Sequence, residues 1–259
     1  MFYCGTSGFS YDDWAGIYYP SHLPRKNWFS FYAQEFNSIE LNFTYYKLPD
    51  VSTLKSLAAK TGGGFLFVVK ANQEMTHKRQ PDAGIFEVFT RSLQPLASEG
   101  KLGCVLAQFP FSFNQSSSNL EYLGQFHDWM HGIELVVEFR NSSWLNPEIM
   151  DWMRDRRIGF CCVDEPQLPR LLPPAAEVTS HVGYIRFHGR NEAKWWKHEY
   201  AWERYDYTYK PGELEEWIPR IAQISKSADR TFIFANNHWK SQAVDTIRQV
   251  RSMLDQLVL

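Results

Sequence analysis

Eight short apolar runs recur along the chain, and segments with helical character separate most of them. Nearly every run closes on a polar or charged residue, and the runs occupy residues 2–8, 38–44, 65–71, 103–109, 134–140, 159–164, 182–188 and 231–237. Apolar strands that alternate with helices are typical of a parallel sheet with both faces covered. Eight such units within 259 residues predict a (β/α)8 barrel, a fold of about 250 residues. We therefore expect one barrel domain over residues 1–259.

Helices are expected at residues 27–36, 52–60, 83–99, 119–130, 147–156, 213–227 and 241–257. The proline-rich stretch 166–174 predicts no helix after the sixth strand. The connection between the seventh and eighth strands is the longest, and its first half, 189–210, carries seven Trp and Tyr residues. We expect this aromatic loop to act as a lid or as a stacking surface for a ligand.

Composition and charge limit the classes of function. A formal net charge of −2 gives no global sign of a nucleic-acid or anionic-membrane partner, and no apolar run approaches the roughly 18 residues of a membrane span. The four cysteines form neither a CxxC pair nor a zinc spacing, so we expect reduced core thiols. The N-terminus lacks the pattern of a secretory signal. These features predict a soluble, cytoplasmic protein with no membrane partner, and they leave its oligomeric state open.

Polar side chains close the predicted strands. Residues two apart on a strand share a face, so Glu138 points with Arg140, and Arg186 points with His188. Inward-facing ends would converge on one bowl at the carboxyl ends of the strands, where TIM barrels hold their active sites. The eighth strand ends on two neighbouring asparagines, of which only one can face inward. The side chains expected in the bowl are Glu40, Asn42, Lys70, Gln108, Glu138, Arg140, Asp164, Arg186, His188 and either Asn236 or Asn237.

The predicted bowl combines acids with permanent cations. The candidate catalytic residues are Glu40, Glu138, Asp164 and His188, because carboxylates and imidazole transfer protons in many hydrolases. Lys70, Arg140 and Arg186 would hold a phosphate or carboxylate group, which a guanidinium binds in bidentate fashion. A single Mg²⁺ or Mn²⁺ ion on Glu138 and Asp164 is an alternative, and no other cofactor is expected.

Further ligand contacts are expected around the bowl. His77 lies on the loop after the third strand, and the amides expected to bind ligand are Asn42, Gln108 and Asn237. Trp14, Trp195 and Trp196 would stack on the rings of a sugar or a base. An aromatic content of 16 % fits such a surface and equally fits an aromatic-rich core. The sequence contains no P-loop, no GxGxxG, no nucleophile elbow and no HExxH.

These residues also carry a resemblance to a known family. The matching segments are GTSGFSY at 5–11, Trp14, Tyr19-Pro20, ELNFTYY at 40–46, Lys70, Thr76-His77, QFP at 108–110, EFR at 138–140, Ser143-Trp144, DEP at 164–166, YIRFHG at 184–189 and Asn236-Asn237. In this order they resemble the YecE-like family, domain of unknown function 72, over nearly the whole chain. The resemblance implies a TIM barrel and supplies no activity. One departure is His238, which stands where the family often has an aspartate.

Three functions fit the predicted bowl. The first is an enzyme or former enzyme that binds a small anionic ligand such as a sugar phosphate, or nucleic acid, and hydrolysis of a phosphodiester or a glycoside is the reaction class open to it. The second is a glycosidase-like hydrolase of neutral carbohydrate, which needs two open carboxylates about 5–10 Å apart. Carboxylates locked in arginine pairs would exclude it. The third is a non-catalytic binding or scaffold barrel. Three cations in one bowl favour the first.

Overall fold

A computed structural model describes residues 1–79 and 83–256 of the chain. Within them, eight parallel strands follow one another around a barrel in the order β1-β8-β7-β6-β5-β4-β3-β2. Each apolar run overlaps one of these strands, so the prediction of a (β/α)8 barrel is confirmed. The strands are β1 (Phe2–Thr6), β2 (Ser38–Leu41), β3 (Leu66–Lys70), β4 (Leu102–Gln108), β5 (Leu135–Glu138), β6 (Gly159–Asp164), β7 (Val182–Phe187) and β8 (Arg230–Ala235).

The barrel closes where β1 and β2 meet, through an isolated bridge between Ser7 and Glu40. A tyrosine supplies the hydrogen bonds that a ladder would otherwise provide there. The Tyr32 hydroxyl accepts a hydrogen bond from the Thr6 amide at 2.8 Å and donates one to the Ser38 carbonyl oxygen at 3.1 Å. Closure therefore depends on a buried side chain as well as on the backbone.

Helices cover the barrel between the strands. They are α1 (Trp28–Glu35), α2 (Phe43–Tyr46), α3 (Val51–Ala58), α4 (Ala83–Ser92), α5 (Gln94–Ser98), α6 (Ser117–Trp129), α7 (Pro147–Arg156), α8 (Glu192–Trp195), α9 (Pro211–Glu215), α10 (Ile218–Ser227) and α11 (Gln242–Asp255). The helix predicted at 83–99 is split into α4 and α5, and the one at 213–227 into α9 and α10. Pro95 and Pro219 lie at the starts of the second helices and lack the amide that a continuous helix would use. The predicted end of the last helix, at 257, lies outside the described residues.

Two strands end earlier than their apolar runs. β2 stops at Leu41, where the chain turns into α2, and β5 stops at Glu138, ahead of a 3-10 turn at Ser142–Trp144. Asn42 and Arg140 consequently lie just beyond the carboxyl ends of their strands. None of the described helices has the length and apolar character to cross a membrane. All four cysteines are buried and free of disulfides.

Candidate functional site

A cavity of about 1130 Å³ opens at the carboxyl ends of the strands. Five strand ends reach it through Asn42, Lys70, Gln108, Arg140 and Asn236. The aromatic loop 189–210 forms a further part of its wall, with Trp195, Trp196, Tyr200, Trp202, Arg204 and Tyr205. Small-molecule sites commonly occupy about 300–1000 Å³, so this cavity has room for a ligand of cofactor size.

Arg186 lies buried beneath the cavity and joins two acids. It forms an ion pair with Glu138 and another with Glu40 at 2.6 Å, and it donates to the Ser7 hydroxyl at 3.1 Å. The Tyr184 hydroxyl donates to Glu40 at 2.7 Å. All of these side chains are at most 1 % exposed. Both Nη groups of Arg186 are therefore engaged inside the barrel. Arg186 neutralises buried acids and does not line the cavity, where it was expected to bind a ligand.

Glu138 is the centre of this buried cluster. Its Oε1 lies 2.7 Å from Arg140 Nε and 3.2 Å from His188 Nε2. Burial alone would raise the pKa of Glu138, but Arg140 and Arg186 outweigh it and hold the pKa well below its usual range. Burial and Arg140 hold the pKa of His188 well below its usual range, so this imidazole is neutral. Its Nδ1 accepts a hydrogen bond from the Asn236 amide at 3.1 Å in the neutral tautomer that carries its proton on Nε2.

Glu165 is a buried acid that the sequence analysis did not select. Its Oε2 accepts a hydrogen bond from Arg140 Nη1 at 2.8 Å, and its Oε1 accepts one from the Leu172 amide at 3.2 Å. Burial raises the pKa of Glu165 to about 7, because Arg140 offsets the lost solvation only in part. Arg140 therefore has two acidic partners, Glu138 and Glu165, behind the cavity wall.

Asp164 lies outside the cavity, on the outer face of the barrel wall. Its carboxylate accepts hydrogen bonds from the Tyr209 hydroxyl at 2.5 Å, the Trp217 indole at 2.6 Å and Arg190 Nη2 at 2.7 Å. Tyr209 and Arg190 belong to the two ends of the aromatic loop 189–210. The structure therefore places Asp164 as the anchor of that loop and separates it from the other predicted catalytic residues.

The side-chain alternation of β6 explains the position of Asp164. Cys161 faces the barrel interior, where Glu138 and Arg186 act on the pKa of its thiol. Positions two and four residues further along face the same way. Glu165 therefore points inward, and Asp164 points to the helices. The expectation that the last residue of the strand faces inward is therefore wrong for Asp164, because the inward positions follow the period of two from Cys161 to Glu165.

Asn237 and Trp14 also lie away from the cavity. The Asn237 amide donates to the Tyr207 carbonyl oxygen and to the Thr246 hydroxyl, each at 2.9 Å. Trp14 is fully buried, and its indole N–H donates to the His238 carbonyl oxygen at 2.6 Å. Both residues hold connecting segments against the barrel, and the other member of the asparagine pair lines the cavity.

Trp195 brings two guanidinium groups together at the cavity wall. The Cζ atoms of Arg140 and Arg204 lie 5.6 Å and 5.5 Å from its ring centroid. Arg204 Nε also donates to the Trp195 carbonyl oxygen at 2.9 Å. Trp195 is 2 % exposed, so packing fixes the pair of cations it contacts. Sequence analysis missed Arg204 because it lies in a long loop, where no strand register fixes the direction of a side chain.

Lys70 faces the cavity with a different environment. In the part of the chain that the structure describes, its ammonium group has no ion pair and no hydrogen bond, and Nζ lies 4.8 Å from the Tyr45 ring centroid. Burial and the nearby Arg186 lower the pKa of Lys70 to about 8. His77 packs on the same tyrosine at 5.0 Å, and burial and Lys70 lower its pKa to about 4. At neutral pH the histidine is therefore uncharged.

The structure also brings Asn42, Gln108 and Trp196 to the cavity wall. The Oδ1 atom of Asn42 is buried and accepts no hydrogen bond from the described residues. Gln108 Nε2 donates to the Phe109 carbonyl oxygen at 2.8 Å. Trp196 is 49 % exposed, so its ring is open to a ligand.

The residues proposed as a metal pair are not brought together. Glu138 faces the barrel interior with two arginine partners, whereas Asp164 faces the helices with Arg190. Among residues 1–79 and 83–256, no group of three or more His, Cys, Asp and Glu side chains is arranged to hold a metal ion. Glu138 and Asp164 therefore cannot share one Mg²⁺ or Mn²⁺ ion in this arrangement.

Comparison with known proteins defines the class to which this barrel belongs. The family model described as "Protein of unknown function DUF72" matches residues 3–258. The chain belongs to this family of TIM-type barrels, as the resemblance in the sequence indicated. It is similar to the UPF0759 protein YunF of Bacillus subtilis strain 168, with 30 % identity over 271 residues, covering 98 % of this chain and 95 % of that one.

Solved structures of the family share the same architecture. A DUF72 family protein from Thermotoga maritima superposes with a TM-score of 0.91 at 39 % identity, covering 98 % of this chain and 99 % of that one. A second, from Enterococcus faecalis, gives a TM-score of 0.87 at 24 % identity, covering 98 % and 96 % of the two chains. These relatives carry family names without a stated activity, so function has to be argued from the site.

Proposed function

We propose that the cavity binds an anionic, phosphate-bearing ligand that also presents a sugar or a base. One observation carries the proposal: the cavity lining includes Lys70, Arg140 and Arg204 and contains no aspartate or glutamate among the described residues. Glu138 and Glu165 lie behind the cavity wall, where they pair with the inner side of Arg140. The face that a ligand meets is therefore cationic.

The arginines keep donors available for such a ligand. Arg140 uses Nε and Nη1 on its two glutamates, and Arg204 uses Nε on a backbone carbonyl. Arg140 Nη2 and both Nη groups of Arg204 make no hydrogen bond or ion pair with the described part of the chain. Guanidinium donors of this kind match the geometry of phosphate oxygens. Because burial and ion pairing already fix Arg140, little side-chain entropy is lost when an anion binds.

The rim of the cavity is aromatic and open. Phe43, Tyr46, Trp196 and Tyr200 line it and are 40 %, 74 %, 49 % and 54 % exposed. Exposed rings next to cations are typical of sites that stack on a base or cover the apolar face of a sugar. This rim supports a ligand larger than an inorganic anion, such as a sugar phosphate, a nucleotide or a nucleic-acid end.

A glycosidase of neutral carbohydrate receives less support. Glu40 and Glu138 are fully buried and paired with Arg186, and Asp164 lies outside the barrel interior. A glycosidase needs two carboxyl groups facing one open cleft. Because these carboxylates are buried in arginine pairs, none of the three is open to a substrate as an acid or as a nucleophile. A binding barrel without turnover remains compatible with the same contacts.

Matched pairs of ligands test the proposal by isothermal titration calorimetry. Ribose is compared with its phosphate monoester, and adenosine with its monophosphate, on the wild-type protein and on the Arg204→Met and Arg91→Met variants. At least one phosphorylated member should bind about tenfold more tightly than its neutral partner. Arg204→Met should remove that preference, whereas Arg91→Met, on the exposed face of α4, should keep it. Equal affinity for charged and neutral members would reject the proposal.

A further inference from the structure

The amino group of Lys70 differs from the other cations of the cavity in making no hydrogen bond and no ion pair within the described residues. Arg140 has two glutamates, and Arg204 contacts a backbone carbonyl and an indole. Lys70 has only the face of Tyr45 at 4.8 Å and no ion pair or hydrogen bond to its ammonium group within the described residues. Because no hydrogen bond or ion pair engages this nitrogen, its lone pair is available to react once the ammonium group loses a proton.

The surroundings of Lys70 make its ammonium group lose a proton more readily than that of an ordinary lysine. Burial and Arg186 lower the pKa of Lys70 to about 8. Roughly a tenth of the amine is then uncharged at pH 7, against less than about a thousandth for an ordinary lysine. A neighbouring cation together with desolvation is the arrangement that activates lysine as a nucleophile. The neighbouring imidazole of His77 is neutral at pH 7, so the lowered pKa of Lys70 does not depend on it.

The geometry points to Lys70 as the residue that forms an imine with an anionic aldehyde or ketone bound in the cavity. This inference rests on the proposed function, because Arg140 and Arg204 would hold the anionic group of the same ligand. Lys70 closes β3 at the carboxyl face, and both arginines line the same cavity. The substrate class is therefore a phosphorylated or carboxylated carbonyl compound.

The chemistry balances without a redox partner. The neutral amine nitrogen attacks the carbonyl carbon, forming a C–N bond as the carbonyl π electrons move to oxygen. Both hydrogens of the amine leave with that oxygen as water, and a C=N bond remains. The open cavity lets solvent carry the protons between nitrogen and oxygen. The imine can then be protonated on nitrogen, which makes it an electron sink for the adjacent carbon.

Borohydride trapping tests the inference with pyridoxal phosphate as an anionic aldehyde and pyridoxal as its neutral counterpart. Each is incubated with the full-length protein, reduced with borohydride and mapped by peptide mass spectrometry. We expect Lys70 to be labelled at least about tenfold more than Lys226, an exposed lysine of α10, and only by the phosphorylated probe. Labelling of Lys70 no greater than that of Lys226 would overturn the inference.

Titration of the wild-type protein with pyrophosphate, measured by calorimetry, tests the proposed function separately from this inference. The Lys70→Arg variant keeps a cation at the position and cannot form the imine, so it should lose the trapped adduct. Lys226→Arg, at an exposed lysine of α10, is the matched control and should keep the adduct on Lys70. If pyrophosphate binds and Lys70 is not trapped, the imine inference fails alone. If pyrophosphate does not bind and Lys70 is not trapped, the proposed function fails with it.

Discussion

Arg140 lies over the indole of Trp195, with its Cζ atom 5.6 Å from the ring centroid. The contact joins a residue at the end of a barrel strand to a residue of the aromatic loop 189–210. Because Arg204 contacts the same ring, the loop contributes one cation and fixes the surroundings of the other. The proposed anion-binding face is therefore assembled from the barrel and the loop together, and a change in either should alter affinity.

Arg140→Lys should weaken anion binding while keeping the charge. Lysine has no planar fork, so it cannot hold Glu138, Glu165 and a ligand oxygen at the same time. We expect the Kd for pyrophosphate to rise by about tenfold or more, measured by calorimetry. Arg91→Lys, which changes an exposed arginine paired with Glu87, is the matched control and should bind as wild type does. An unchanged Kd in Arg140→Lys would remove Arg140 from the anion site.

Anion binding should weaken as Lys70 loses its proton. The pKa of Lys70 is lowered to about 8, so the group is charged below that pH and neutral above it. Sulfate does not titrate in this range, and its Kd should rise by about tenfold between pH 7 and pH 9. The pH dependence should fall to the small part that Glu165, with a pKa of about 7 beside Arg140, contributes in Lys70→Met, and it should persist in full in Lys226→Met. A wild-type Kd that stays constant over this range would contradict the predicted role of the Lys70 charge.

Arg186→Met should destabilise the barrel, because it leaves Glu40 and Glu138 buried without their shared cation. Removing one partner of a buried ion pair commonly costs about 3–5 kcal/mol. Urea unfolding followed by circular dichroism measures the change in free energy of unfolding. The double variant Arg186→Met/Glu138→Gln should recover part of the loss, since one buried charge is removed. A single variant within about 1 kcal/mol of wild type would show that the pair is not structurally required.

The fold could be predicted because strand and helix patterns recur eight times, and one misplaced boundary does not change the architecture. The helix boundaries were harder. The segment 83–99 has helical periodicity throughout, and only Pro95 marks the break that the structure shows. Closure through Tyr32 could not be predicted, because a hydroxyl that replaces a backbone ladder leaves no local pattern in the sequence.

The site could be predicted where a strand fixed the direction of a side chain. Lys70 and Arg140 line the cavity, and Glu138 lies in the interior, as alternation on their strands indicates. Asp164 was misplaced because both faces of β6 are apolar, so the pattern alone did not say which face is inside. Arg204 lies in a loop, and its direction depends on a tertiary contact with Trp195 that spacing does not encode.

Asp164→Asn should weaken the attachment of the two ends of the aromatic loop 189–210 to the barrel. The carboxylate holds Arg190, Tyr209 and Trp217, and the amide loses the charge that pairs with Arg190. Hydrogen bonds to charged groups contribute about 1.5–3 kcal/mol each, so we expect faster hydrogen exchange in 189–210 and weaker pyrophosphate binding. Asp151→Asn, at an exposed pair with Arg154, is the control. Unchanged exchange in 189–210 would contradict the anchoring role.

Gly5→Ala should prevent normal closure of the barrel. A Cβ atom at this position would lie 2.1 Å from the Ser38 carbonyl oxygen and 2.7 Å from the Tyr32 hydroxyl, two of the groups that join β1 to β2. Neither group can move away from the added Cβ atom without losing the hydrogen bond between them. Relieving the clash therefore costs stability. We expect a loss of about 3 kcal/mol or more in urea unfolding.

The matched control for that variant is Gly63→Ala. A Cβ atom at Gly63 meets nothing within 4 Å, so this variant changes the same residue type without a clash. It should unfold within about 0.5 kcal/mol of wild type. Equal stability of Gly5→Ala and Gly63→Ala would show that β1 and β2 can separate freely. The tyrosine-mediated contact would then not be what holds the first strand against the second. The remaining links would do so, namely the hydrogen bond from the Gly8 amide to the Glu40 carbonyl oxygen at 2.8 Å and those between the Asn37 side chain and the backbone of β1.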